Sequence, residues 1–525
     1  MRNKKRLALV ALTTMIFLTS ITPARKIKAD ENLDYSTALK DSIIFYDANK
    51  CGKDAGVNNY FTWRSACHID DGKDKGLDLS GGYHDAGDHV KFGLPQGYAA
   101  SVMGWALYEF KSGFDSSQNT DKQLQQLKYF TDYFLKCHPN TNTFYYQVGD
   151  GDTDHGYWGA PEKQTTSRPT LYVADSSNPA SDVLGETSAA LTLMYLNYKN
   201  IDSNYAAKCL QAAKELYAMG KTNQGCGSGQ TYYKSNSYGD DLAWAAIWLY
   251  IAESNNQYLM DAKQFIMLNS ISLNDNWTMC WDSMKLPAVL KLSDVTGEKQ
   301  YKDAMDFNFN YWKNTVKTTA GGLKYLSDWG VLRYAAAESM LALVYYKNNN
   351  DESLKTFAKS QIDYILGKNP ANMSYVIGFG SKWPKHPHHR AANGYTNDNH
   401  DNEKEAKNLI LGALVGGPSS NDTYVDDINQ YQYTEVAIDY NAGLVGALAG
   451  MVQYTNNISK KLGDVNSDGN IDINDYVAMQ KYVLGKDVNI NKINADVNSD
   501  GNVNSKDLLI LRKYLSKQIP SFPVQ

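Results

Sequence analysis

Cysteine is scarce in this chain: Cys51, Cys67, Cys137, Cys209, Cys226 and Cys280 are the only six among 525 residues. That is too few for a disulfide framework, so an apolar core must hold the fold. The length is enough to bury a large core with a small second unit beside it. Basic charge is also short. Lys and Arg total 52 against 57 Asp and Glu, for a formal net charge of −5. A chain of this sign binds polyanions poorly, which argues against nucleic acid as a partner. Beyond residue 29 no apolar run is long enough to span a membrane. Alternating strand patterns are few, which excludes a sandwich or barrel of strands.

What is present begins with an export pattern. Arg2, Lys4, Lys5 and Arg6 precede a largely apolar stretch from Leu7 to Ile21, and small residues follow at Ala24 and Ala29. Residues 1–29 therefore read as a signal peptide of a secreted, extracellular protein. Aromatics make up 12% of the chain, 38 of them Tyr. This suits either stacking on flat, hydroxylated ligands or Tyr-rich helical packing. Between residues 35 and 455, apolar residues recur at three- and four-residue spacing over 101–111, 124–137, 186–198, 205–219, 240–253, 299–316, 332–347, 353–366 and 434–454. Each is predicted to be a helix. The polar, aromatic loops between them predict a helical toroid with a cleft built at one end.

The tail is separate. Residues 456–462 read as a short linker, and 463–520 carry a repeat in which Asp464-Val-Asn-Ser-Asp-Gly-Asn470 returns as Asp496-Val-Asn-Ser-Asp-Gly-Asn502. Oxygen ligands at alternating positions with Gly at the turn are what a calcium loop requires. The first loop offers Asp464, Asn466, Asp468, the Asn470 carbonyl, Asp472 and Asp475. The second offers Asp496, Asn498, Asp500, the Asn502 carbonyl, Asn504 and Asp507. The twelfth position is Asp rather than Glu, no clear helix precedes either loop, and helices are predicted at 476–484 and 508–515. A module this small depends on its ions to fold. It resembles the type I dockerin of bacterial cellulosomes, which implies two bound calcium ions and a cohesin domain of a scaffolding protein as partner. Positions ten and eleven of the loops are Ile473-Asn474 and Ser505-Lys506, so the two copies differ there.

Two segments of the body concentrate acids. In Ser80–His89, Asp85 and Asp88 stand on a loop made tight by Gly81, Gly82 and Gly87. Two such carboxylates could hold a water between them, or the loop could be a turn or a calcium site. In 424–442, Glu435 opens an apolar stretch among aromatics. Desolvation there would raise its pKa toward that of a general acid, although a helix-start charge would also explain it. Hydrolysis of a glycosidic bond needs one protonated and one ionised carboxyl from separate segments.

These segments resemble glycoside hydrolase family 9. Asp85-Ala-Gly-Asp88 matches its acidic motif, and Tyr424 to Ala442 its C-terminal signature. Ser374 to Arg390 is similar to its histidine signature, and Gln147–Trp158 and Trp329–Tyr334 also match. The resemblance covers about 35–455. It implies an (α/α)6 barrel and a cellulase, an inverting endo-β-1,4-glucanase. In that family Glu435 would be the general acid and Asp88 the general base, with Asp85 helping to hold the attacking water. His388 and Arg390 would bind the sugar beside the scissile bond, and Tyr440 would lie near the reacting centre. His155, Trp158, Trp277, Trp329, Arg333 and Tyr334 would be cleft residues, although a tryptophan also packs cores. Alternative readings are a processive or exo-acting enzyme, or a preference for xylan or mixed-linkage glucan. A non-catalytic glycan-binding protein is disfavoured because acid and base are both present.

The resemblance extends to metals. Asn236-Ser237-Tyr-Gly-Asp240-Asp241 is similar to the family's calcium segment, and Asp282 to its distant carboxylate. The expected ligands are the Asn236 and Ser237 carbonyls with Asp240, Asp241 and Asp282, Asp241 standing where Glu is usual. Cys51 and Cys67-His68 could form a disulfide or, with His84 or His89, a structural zinc site of the kind some members carry.

Overall fold

The computed structural model describes residues 33–523 apart from 228–231, 269, 398–403, 456–461, 467–469, 487 and 489. The expected signal peptide, most of the linker and Asp468 lie outside the described residues.

Among the described residues, twelve helices of ten residues or more build the body in outer–inner alternation. They are α1 (Tyr35–Asn49), α2 (Gly93–Glu109), α3 (Thr120–Cys137), α4 (Ser181–Tyr198), α5 (Ser203–Thr222), α6 (Gly239–Glu253), α7 (Asn256–Phe265), α8 (Lys285–Thr296), α9 (Lys299–Asn314), α10 (Val331–Asn349), α11 (Glu352–Ile365) and α12 (Ile438–Thr455). The even-numbered helices form a ring in which each packs on the next and α12 closes back onto α2. This is the (α/α)6 barrel expected from the sequence. The ring helices are apolar or small on nearly every side; in α2 only Tyr108 is exposed, as befits a helix surrounded by others. Apart from α1, which is buried on nearly every side, the outer helices bury one stripe, as α3 does with Leu124, Leu127, Phe130 and Phe134. Several start on side-chain caps: Asp34, Asp202, Asn255 and Asp351 each accept a backbone N–H of the first turn.

The ring closes tightly at its last seam. On α12, Gly443, Gly446 and Gly450 lie against Ala337, Met340 and Leu343 of α10. A Cβ on Gly443 would come within 2.9 Å of the Ala337 Cα.

A three-stranded antiparallel sheet stands outside the ring: β1 (Lys91–Phe92), β2 (Phe144–Val148) and β3 (Thr170–Ala174), in that order. Lys91 pairs with Val148 and Phe92 with Gln147. The sheet therefore ties the loop ending at Asp88 to the loop after Val148.

Two predicted helices differ from those observed. The helix predicted at 101–111 starts at Gly93, because Pro95 sits in the first turn, where its missing N–H costs nothing. The helix predicted at 434–454 is broken. A short turn, Tyr431–Thr434, ends at Glu435, whose backbone is extended (φ −61°, ψ 144°), and α12 begins at Ile438. Helices α1, α7 and α8 were not predicted.

In the tail, α13 (Ile473–Val483) and α14 (Ser505–Leu515) pack over Val465, Met479, Ile490, Ala495, Val497 and Leu511. Each opens on a capping box, Asp472 with Asp475 and Asn504 with Asp507. A four-residue helix, Lys492–Ala495, precedes the second loop, so the expectation that no helix precedes either loop fails there. Phe522 stacks on Tyr514 at 4.3 Å and covers Gly463.

Gly443→Leu should force α12 and α10 apart and cost about 1–3 kcal/mol. A lowered Tm in thermal unfolding by circular dichroism would register this, and an unchanged Tm would contradict the tight seam.

Candidate active site

The loops at one end of the ring enclose a cavity of about 540 Å³. Its wall includes Asp85, Asp88, His155, Trp329, Arg333, His388, Arg390, Glu435 and Tyr440. Of the other candidate cleft residues, Trp158 is half-buried beside the wall, its ring 5.3 Å from that of His388 and 5.5 Å from the Arg390 guanidinium. Trp277 and Tyr334 also lie off the wall: their rings meet at 5.3 Å, and the Tyr334 hydroxyl accepts from Arg333. The wall has further members that the sequence reading did not select: Phe92, Tyr232, Tyr233, Trp281 and Tyr431. The Tyr232-Tyr233 pair in a loop of Gly, Ser and Asn was the available signal.

Asp85 and Asp88 stand on a loop held at many points. The Asp85 N–H donates to the Val90 carbonyl and its own carbonyl accepts from the Ile438 N–H. Gly87 is pressed onto the His388–Arg390 segment. Its carbonyl accepts from the Arg390 N–H at 3.0 Å, and a Cβ there would lie 2.2 Å from the His388 carbonyl oxygen. Glycine is the residue that fits.

The two carboxyls differ electrostatically. Burial and the neighbouring charges of Asp88 and Asp439 push Asp85 well above the usual range, and its Oδ2 accepts from the Tyr233 hydroxyl. Burial would raise Asp88 too. His155, with Nε2 at 3.4 Å, the Arg390 charge and the Ala86 N–H outweigh it and hold Asp88 at about 2. In the same cavity, burial pushes Glu435 up to about 6, against the pull of two donors. Both act on Oε2: Trp329 Nε1 at 3.2 Å and the Tyr440 hydroxyl at 3.1 Å. Arg333 lies against the Tyr440 ring and pairs with buried Asp439 at 3.2 Å. His388 donates from Nδ1 to the Ile428 carbonyl at 2.7 Å, and burial lowers its pKa to about 4, so the ring is neutral. Its Nε2 is then an acceptor. Glu435 and His388 are backbone neighbours, paired in parallel. One cavity therefore holds an ionised carboxylate, a carboxyl with a near-neutral pKa and a neutral acceptor among aromatic walls.

The metal-ligand chemistry expected from the sequence falls in three places among the described residues; Asp88, Asp154 and His155 also bring ligand atoms within 4.8 Å of one another. The ligand atoms of Cys51, Cys67, His68 and His84 lie within 4.8 Å of one another, a Cys₂His₂ set of the kind that binds zinc tetrahedrally. Buried His68 Nε2 has no hydrogen-bond partner, and all six cysteines are free thiols. His84 rather than His89 joins the set; His89 Nε2 bonds the Gly159 carbonyl at 2.8 Å. A second pocket of about 290 Å³ is lined by Asn236, Ser237, Asp240 and Asp282. Asp240 accepts from the Ser237 hydroxyl and the Met284 N–H. Asp241 is not on that lining; it is buried against Gly185, and its Oδ1 has no partner. In the tail, Asp475 and Asp507 are fully buried. Asp475 accepts the N–H groups of Val465, Asn466 and Asp472, and Asp507 those of Asn498 and Asn504. Asp496 accepts from the Asp500 and Gly501 N–H groups. Among the described residues no helix is long and apolar enough to cross a membrane.

A helical toroid whose loops bring two aspartates and a glutamate to one cavity suits a carbohydrate-processing enzyme, and comparison with known proteins agrees. The pattern of "Glycosyl hydrolase family 9" matches residues 35–448, and that of "Dockerin type I domain" matches 462–516. The chain belongs to glycosyl hydrolase family 9 and carries a C-terminal type I dockerin domain. It is similar to "Endoglucanase A" of Bacillus pumilus, at 40% identity over 80% of this chain and 66% of that protein. Thus it spans about two thirds of that relative's length. The cellulase Cel9M of C. cellulolyticum, solved in complex with cellobiose, is 68% identical over 81% of this chain and all of the other, with a TM-score of 0.80. An endoglucanase from the termite Nasutitermes takasagoensis is 38% identical over 80% of this chain and 99% of the other, with a TM-score of 0.78.

Proposed function

We propose that the chain is a secreted endo-β-1,4-glucanase that cleaves internal bonds of cellulose with inversion and is held on a cellulosome scaffold by its dockerin. The observation that carries the mechanism is the division of protonation states on one cavity wall. Glu435, held near 6, can carry a proton at mildly acidic pH, while Asp88, held near 2, is ionised. This is the pairing that inverting hydrolysis uses. Glu435 gives its proton to the leaving glucosyl oxygen. Asp88 takes a proton from a water beside it, and Asp85 helps hold that water. Neutral His388 accepts from a sugar hydroxyl, Arg390 donates to the same sugar, and Trp329 offers its half-exposed face to a glucose ring. The relatives named as endoglucanases and the cellobiose complex of Cel9M support the substrate class.

Three metal assignments accompany this reading. Zinc fits Cys51, Cys67, His68 and His84, where it would tie the chain after α1 to the start of the Asp85 loop. Calcium fits Asn236, Ser237, Asp240 and Asp282 by the chemistry of the donors, with Asp241 outside the set. Calcium also fits the two tail loops, through Asp464, Asn466, Asn470 and Asp472 with Asp475, and through Asp496, Asn498, Asp500, Asn502 and Asn504 with Asp507. Type I dockerin domains bind calcium, and ion-bound loops would present the tail to a cohesin.

On carboxymethylcellulose, the wild type should lower viscosity quickly and release the α-anomer first by NMR. Glu435→Gln and Asp88→Asn should lose about 10²–10⁴-fold in rate. Sugar release with little viscosity loss would instead indicate exo action.

Because Glu435 must be protonated, kcat should fall as pH rises through about 6. Tyr440 donates to Oε2 and favours the ionised form, so Tyr440→Phe should move that limb to higher pH. A limb that stays in place would count against Glu435 as the acid.

Metal analysis of the purified protein should find about one zinc, lost in Cys67→Ser with a lower Tm. Chelation of calcium should unfold the tail, read as loss of its amide hydrogen-exchange protection.

A further inference from the structure

Two fully enclosed side chains that line no part of the cavity join its two halves. Asn49, the last residue of α1, and His389 are 0% and 2% exposed. The Asn49 amide nitrogen lies 3.1 Å from the His84 carbonyl oxygen, 3.4 Å from that of Asp85 and 3.1 Å from that of Ala86. Three acceptors around one NH₂ fix which way the amide faces. Its Oδ1 then faces His389 Nε2 at 3.2 Å. His389 Nδ1 accepts from the Ala392 N–H at 3.0 Å, so Nε2 carries the ring proton and donates it to Asn49. The ring is neutral, since burial holds its pKa well below the usual value. The Asn49 carbonyl also accepts from the His84 N–H at 2.8 Å.

One short chain of hydrogen bonds thus runs from the backbone under Asp85 to the backbone between His388 and Arg390. We infer that Asn49 and His389 form a positioning pair that sets the distance and angle between the Asp85–Asp88 loop and the His388–Arg390 segment. The inference rests on Asp88 being the base and His388 and Arg390 binding the sugar. Among the described residues the two segments also meet through the backbone at Gly87 and through the charge of Arg390 on Asp88, which is long-range and sets no angle. The bond at Gly87 fixes one point, whereas the Asn49–His389 link fixes a second and so removes rotation about the first. A tilt of about 1 Å at the attacking water can cost about 10²-fold in rate. Ground-state sugar binding tolerates such a tilt better.

The test compares His389→Phe, which fills the space without the donor, with His389→Gln, which restores an N–H to Asn49, and with Asn49→Ala and the double variant, all in the full-length protein. With a soluble cello-oligosaccharide, His389→Phe should lose about 10–100-fold in kcat with KM changed less than about threefold, and His389→Gln should recover most of it. Asn49→Ala with His389→Phe should be no worse than the poorer single change, because both break one link. Equal kcat in folded His389→Phe and wild type would overturn the inference, as would a loss in His389→Phe that His389→Gln does not recover. If Asn49→Ala does not fold, the Phe and Gln pair at 389 decides alone. If His389→Phe does not fold, His389→Leu takes its place. Asp88→Asn run alongside separates the two readings: full activity there would remove the base assignment, while its loss with unchanged kcat in the 389 variants would remove only the positioning pair.

Discussion

The cleft depends on one contact, the approach of the Asp85–Asp88 loop to the His388–Arg390 segment through Gly87. Any side chain at 87 would occupy the space of the His388 carbonyl. Because the loop sits there, Asp88 lies beside Arg390 and His155 and stays ionised despite its burial. Because His388 pairs with Glu435 on its other side, the acid is placed by the same segment. Removal of that contact would dissolve the electrostatic division between the two carboxyls before it unfolded any helix.

The outer layers of the molecule serve this contact. The small sheet joins the Asp88 loop to the His155 loop through Lys91–Val148 and Phe92–Gln147. The Cys51, Cys67, His68 and His84 cluster sits at the other end of the acidic loop, one residue before Asp85. Helix α12 reaches the loop through the Ile438 N–H and the Asp85 carbonyl. A helical ring gives these loops a rigid rim, and precise placement is what charged groups in a desolvated site require.

Much of this was legible in the sequence. Helical periodicity marked nine of the twelve barrel helices, since outer helices with one apolar stripe, such as α3, display their period. It missed α1, α7 and α8: in α1 and α8 apolar and polar residues are buried together and the period is blurred, and α7 is only ten residues long. The paired acids and the tail repeat stood out because their chemistry demands particular residues at particular spacing, whereas the histidine segment was picked out only by its resemblance to the family's signature. Tyr233, Trp281 and Tyr431 did not, because an aromatic in a loop has no spacing rule; only the folded cleft brings them to the wall. Asp241 shows the converse. Adjacent to Asp240 in sequence, it is not among the residues that line the pocket with Asp240, and successive helical residues face about 100° apart.

The break in the chain at Glu435 has its own consequence. A carboxyl on a continuous helix would inherit every slide and roll of that helix against its neighbours. Glu435 instead lies on extended backbone between a single turn and α12, and its strand-like partner is the segment of His388. The proposed proton donor and the histidine proposed to bind the sugar therefore share one piece of framework. A barrel that breathes would carry the two together, so that under the proposed roles the register between proton and glycosidic oxygen follows the substrate rather than the ring.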